Sequence, residues 1–131
     1  MFLDTSGLFT LLDASSALQP FAQSVMNKAR SCFAHSYVLT ELLPLGQARR
    51  FNRERLLQFA EDVTHDPGIR VVWVTRDDHL AAMDLLTARR DKRYSLCDAV
   101  SFILMRRFNV TDALTTDHHF EQEGFVRLLR P

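Results

Sequence analysis

Ile69-Arg70-Val71-Val72-Trp73-Val74, followed at once by Thr75-Arg76-Asp77-Asp78, is the passage from which the rest of the chain can be read. The first six residues are β-branched or aromatic with one interruption and no polar alternation. That pattern predicts a strand buried on both faces. Thr75 and Asp78 have the spacing of a capping box, in which a hydroxyl and a carboxylate each satisfy a backbone N–H at a helix start. A helix is therefore expected from there to about Arg90. Upstream, Asp66-Pro67-Gly68 is a turn, and Glu54 to Val63 carries Leu56, Leu57, Phe59 and Ala60 for one apolar helix face.

The same alternation extends to both ends. Phe2-Leu3 is a short buried strand stopping at Asp4, followed by an amphipathic helix from about Ser6 to Asp13, and a second helix follows Pro20. Cys32 to His35 is a second strand, and Ser36 to about Gln47 a helix that Pro44 should kink or end. Ser95 opens a helix to about Phe108. Ala113-Leu114-Thr115-Thr116 forms a strand ending at Asp117, and Phe125 to Leu129 a last one. Strands alternating with helices over short connections imply an α/β fold, with a mainly parallel central sheet and helices on both sides. Trp73, Met83, Met105 and the phenylalanines are expected in its core.

The 131 residues suit one domain, 1–131, able to bury a core without disulfides or a structural metal. No apolar run approaches the roughly 20 residues needed to span a bilayer. With no secretory signal at the start, and Cys32 and Cys97 reading as buried thiols, a cytoplasmic protein is expected. The formal net charge is zero, which argues against a general nucleic-acid coat protein. Arginine nevertheless outnumbers lysine fourteen to two, and its planar fork suits phosphate. Arg89, Arg90 and Arg93, in one basic cluster, are candidates for RNA contact.

In parallel sheets, ligands bind beyond the carboxyl ends of the strands. Asp4 and Asp117 each directly follow a strand, while Glu41 and Asp98 lie early in helices that begin at the same edge. Four carboxylates in one cleft would repel one another and hold protons near neutral pH, unless a hard dication such as Mg²⁺ or Mn²⁺ sits among them. Such an ion can activate water against a phosphodiester. Each acid also has an ordinary structural explanation. Asp4 can cap a helix, Ser95-Leu96-Cys97-Asp98 is a capping box, Glu41 can be an exposed helix residue, and Asp117 can close an Asx turn. His118-His119 suggests zinc, but adjacent helix positions are not expected to face one site.

Four segments in order, Phe2-Leu3-Asp4-Thr5-Ser6, Thr40-Glu41-Leu42, Tyr94 to Ser101, and Ala113 to Asp117 with Phe120 and Gly124-Phe125, span nearly the whole chain. Together they resemble the PIN-domain family, and within it the VapC-type ribonuclease toxins of prokaryotic toxin–antitoxin pairs. The resemblance implies a three-layer, Rossmann-like α/β/α domain. It implies a Mg²⁺- or Mn²⁺-dependent endoribonuclease with Asp4, Glu41, Asp98 and Asp117 as metal-binding acids. Thr5 or Thr116 would hydrogen-bond that cluster. It also implies an RNA substrate, an antitoxin that covers the cleft, and a homodimer.

Other enzyme classes fit worse. A haloacid-type phosphatase needs a second aspartate two residues after Asp4, where Ser6 stands, and a receiver domain needs an acceptor Asp after the central strand, where Thr75 stands. A dinucleotide site needs more than the single Gly7. An RNA-processing PIN nuclease without an antitoxin, or a PIN-like module that binds without cutting, are the remaining alternatives. The second gives no reason for a repelling carboxylate cluster.

Overall fold

The computed structural model describes residues 1–131. Five strands, β1 (Phe2–Leu3), β2 (Cys32–His35), β3 (Ile69–Val72), β4 (Asp112–Leu114) and β5 (Val126–Arg127), form one parallel sheet in the order β3-β2-β1-β4-β5. The β1 strand is central, with Phe2 in register with Phe33 on one side and Ala113 on the other. Seven helices connect the strands: α1 (Thr5–Leu12), α2 (Gln19–Lys28), α3 (Ser36–Ala48), α4 (Arg53–His65), α5 (Arg76–Ala88), α6 (Leu96–Arg107) and α7 (His119–Gln122).

The strand order dictates the layering. Passing from β1 to β2 to β3 moves outward in one direction, whereas the crossover from β3 to β4 returns past β1 to its other side. Because such crossovers are right-handed, the first two place α1–α4 on one face and the third places α5 and α6 on the opposite face. The expected three-layer α/β/α arrangement results. The order reverses between β1 and β4, so a crevice opens at their carboxyl ends. Fully buried Phe2, Leu3, Leu8, Phe102, Leu114 and Phe120 fill the core beneath it.

Gly7 sets how closely the helical layer lies on the sheet at this point. A Cβ there would stand 1.9 Å from the carbonyl oxygen of Leu114, so only hydrogen allows α1 to rest against β4. Both capping boxes form as expected, Thr75 with Asp78 and Ser95 with Asp98.

Three expectations need correction. The β3 strand lies at an edge of the sheet and is only half buried, and Trp73, just past its end, is 67% exposed. Met83 and Phe21 are also outside the core. An apolar run reads the same at the centre and edge of a sheet, and only the crossover order distinguishes them. Pro44 does not end its helix. It sits on the exposed side of α3, where loss of one backbone hydrogen bond is tolerated, and α3 continues to Ala48.

Candidate metal centre

Asp4, Glu41, Asp98 and Asp117 line one cleft of about 290 Å³, together with Thr5, Ser6, Arg93, Ser95 and His119. Asp4 leaves the end of β1 as the N-cap of α1. Asp117 follows β4 across the crevice. Glu41 projects from the second turn of α3 and Asp98 from the first turn of α6, so the two opposed helical layers close the cleft from either side.

The hydrogen bonds share a pattern. Asp4 Oδ2 accepts from Ser6 Oγ and Thr115 Oγ1, each at 2.7 Å. Asp98 Oδ2 accepts from the Ser95 backbone N–H at 2.9 Å, Glu41 Oε2 from Thr5 Oγ1 at 2.9 Å, and Asp117 Oδ1 from the His119 backbone N–H at 2.9 Å. In every case the protein's donors hold one carboxylate oxygen and leave the other without a hydrogen bond. Capping and site-lining are thus compatible in Asp4 and Asp98, since each task uses a different oxygen.

Electrostatics follow from this crowding. Burial pushes the Asp4 carboxyl above its ordinary range, and the charge of Asp117 adds to the effect, against the pull of Thr115 and Ser6. Asp98 is pushed up to about 6, first by burial and then by the charges of Asp117 and Asp4, despite the opposing Ser95 hydrogen bonds. Cys97 is driven upward by burial and by the same acids, so its thiol stays protonated and is no thiolate ligand. The donor set fits a hard dication, because positive charge among the free oxygens removes the conflict that raises both aspartates.

Over 98% of this chain and 97% of the relative, it is 29% identical to the 23S rRNA-specific endonuclease VapC20 of Mycobacterium tuberculosis, in both strain CDC 1551 and strain H37Rv. The crystal structure of that VapC20, a sarcin–ricin loop cleaving toxin, superposes with a TM-score of 0.87 at 29% identity, covering 99% of this chain and 98% of the other. In sequence and in fold the chain is thus similar to a VapC-type toxin. No protein-family model matches it.

Around this cleft, the structure distinguishes among the supporting residues. Thr5 does bond Glu41. Thr116 does not reach the acids with its hydroxyl; its backbone N–H donates to Ser6 Oγ. The buried neighbour Thr115 instead bonds Asp4 and accepts from the Asp117 N–H at 3.0 Å. Among the arginines, Arg93 lines the cleft, whereas Arg90 is exposed away from it. Arg89 is engaged elsewhere, reaching Glu123 at 3.3 Å in a cluster with Arg106 and the Tyr94 hydroxyl.

Three contributors escaped the sequence reading. Ser6 and Thr115 tie Asp4 to the end of β4, and Arg49 lines the cleft along with Arg93. A second hollow of about 440 Å³ shares Ser6, Phe9 and Arg49 with the cleft and continues past Arg50, Phe51 and Thr116. The Arg49 guanidinium lies 4.7 Å over the Phe9 ring. Arg50 adopts a left-handed backbone, φ 62°, at the turn out of α3. The expectation that His118 and His119 could not face one place also fails. Side-chain ligand atoms of Asp117, His118 and His119 lie within 4.8 Å of one another, because His118 precedes α7 and is not part of a continuing helix.

Proposed function

We propose that this PIN domain is a metal-dependent endoribonuclease, and that it acts in the cytoplasm as the toxin of a toxin–antitoxin pair. The observation that carries the reading is the convergence of four carboxylates, each with one oxygen restrained by the protein and one free, on a single cleft. Asp4, Glu41, Asp98 and Asp117 are the residues that would hold Mg²⁺ or Mn²⁺. When bound, such an ion supplies activation of water and stabilisation of charge on the phosphodiester. The chain's own groups do the rest. Thr115, Ser6, Ser95 and Thr5 fix the direction of the acids before any ligand arrives. Arg49 and Arg93 offer positive charge at the margins, where the flanking phosphates of an RNA strand would otherwise meet only carboxylates.

The hollow beyond Arg49 continues the path away from the acids, with Arg50 and Phe51 along it, and gives a strand room on that side of the cut. The sarcin–ricin loop named for VapC20 is the first substrate to test. Residues 1–131 suffice as one catalytic domain in this reading, an antitoxin covers the cleft, and two copies pair. Exposed Trp73, Leu80 and Met83, within eleven residues of one another, offer apolar surface for that pairing.

The test is cleavage of RNA carrying that loop by purified protein with Mg²⁺ or Mn²⁺, repeated with chelator. Cleavage should require the metal. Asp4→Asn and Asp98→Asn should each abolish it with an unchanged circular dichroism spectrum. Parental rates in either variant remove that residue from the proposed set. Arg49→Ala with Arg93→Ala should weaken RNA binding and flatten its salt dependence by about one counterion per arginine. An unchanged slope sends the strand elsewhere.

A further inference from the structure

The hollow of about 440 Å³ that runs on from the acidic cleft has the size of a ligand pocket, roughly 300–1,000 Å³, yet none of the four acids lines it. Part of its lining is a stack of planar groups. The Phe9 and Phe51 rings lie 14° from parallel with centroids 5.7 Å apart, and the Arg49 guanidinium covers Phe9 at 4.7 Å. Phe9 itself is 2% exposed, so the stack offers the hollow half-buried Phe51 and exposed Arg49. The left-handed turn at Arg50 folds Phe51 back onto the end of α3, where its N–H donates to the Gly46 carbonyl at 3.0 Å.

The rest of the lining is mainly polar, and Asp13 carries its only carboxylate. Asp13 Oδ1 accepts from the Ser15 N–H at 3.0 Å and from Ser15 Oγ at 2.6 Å, bonds that hold the carboxyl below its ordinary range and so ionised. Its Oδ2 has neither a hydrogen bond nor an ion pair. An ionised carboxylate repels phosphate but accepts from N–H groups, and it cannot donate. On the route of an RNA strand it therefore suits a base edge rich in donors. The Watson–Crick edge of guanine has two adjacent donors, N1–H and the 2-amino group. Adenine and cytosine set one amino group beside an acceptor nitrogen, and uracil sets one N–H between two carbonyls. We propose that the hollow takes a guanine unstacked from the RNA strand beside the cut, its ring on Phe51 and Arg49 and its two donors on Asp13 Oδ2. Unpaired RNA bases are read in this manner, by stacking on aromatic or guanidinium planes and by hydrogen bonds along the Watson–Crick edge. The assignment rests on the ribonuclease reading of the neighbouring cleft and names the base that directs it.

The test is fluorescence anisotropy of end-labelled RNA pentamers, UUGUU, UUAUU, UUCUU and UUUUU, binding to the full chain in chelator, where recognition is separated from cutting. UUGUU should bind about tenfold or more tightly than the others, and inosine in place of its guanine should give an intermediate affinity. Asp13→Asn keeps an oxygen for Ser15 but puts a donor where Oδ2 stood, so UUGUU should fall to the level of the other three. Phe51→Leu should weaken UUGUU about fivefold or more, and Phe51→Tyr should retain it. Equal affinity for all four pentamers, no binding to any of them, or a guanine preference that survives in Asp13→Asn overturns the proposal. Undiminished UUGUU binding by Phe51→Leu overturns it as well. Metal-dependent cutting of RNA carrying the sarcin–ricin loop is measured beside this. Cutting without guanine preference overturns the base pocket alone, whereas guanine preference without cutting overturns the ribonuclease reading and leaves the pocket standing.

Discussion

Asp98→Asn should stabilise the metal-free protein at neutral pH while destroying its activity. The carboxyl of Asp98 is held at about 6 in the fold against an ordinary value of 3.8, through burial and the charges of Asp117 and Asp4. The native state thus binds this proton more tightly than the unfolded chain does. Stability associated with Asp98 is complete below about 3.8 and is lost as pH rises to about 6. At about 1.36 kcal/mol per pH unit, the loss amounts to roughly 3 kcal/mol. Asparagine carries no such charge and still offers an oxygen to the Ser95 N–H. Imperfect capping should return about 1 kcal/mol at most. The variant should therefore be more stable by about 2 kcal/mol at pH 7.5 in chelator, measured by urea unfolding, and the advantage should vanish near pH 4. In Mn²⁺ at a hundred times its dissociation constant the parent gains about 2.7 kcal/mol, and the order should reverse. If the variant is no more stable than the parent in chelator at pH 7.5, and the difference does not change down to pH 4, the electrostatic account of this cleft is wrong.

Two further outcomes follow from the fold. Gly7→Ala should destabilise by about 3 kcal/mol or more in thermal melts, because its methyl would overlap the Leu114 carbonyl, and a melting temperature within a degree of the parent would contradict the packing of α1 on β4. Thr115→Val removes the hydroxyl that serves Asp4 and the Asp117 N–H, at a cost of about 1–3 kcal/mol, and should weaken Mn²⁺ binding, whereas Thr116→Val should change neither measurement much.

Local grammar was readable in this chain and long-range geometry was not. The capping boxes at Thr75–Asp78 and Ser95–Asp98 involve residues three apart, so spacing alone identifies them. The four acids could be placed at one edge because strand ends and helix starts share that edge in any parallel sheet. Sequence could not say that Thr115 and not Thr116 would meet Asp4, since that depends on which way the chain turns after β4. Nor could it pair Arg89 with Glu123, thirty-four residues away, or place Trp73 outside the core. The short α7, one turn of four residues, is too brief for any periodicity to show, and it is the element that brings His119 to the cleft.

The 2.7 Å bond from Thr115 to Asp4 joins residues 111 positions apart, on neighbouring strands with three helical crossovers between them. A chain grown to three-quarters of its length still lacks Thr115 and Asp117, so neither the fourth acid of the cleft nor the hydroxyl that orients Asp4 exists until the last stretch is made.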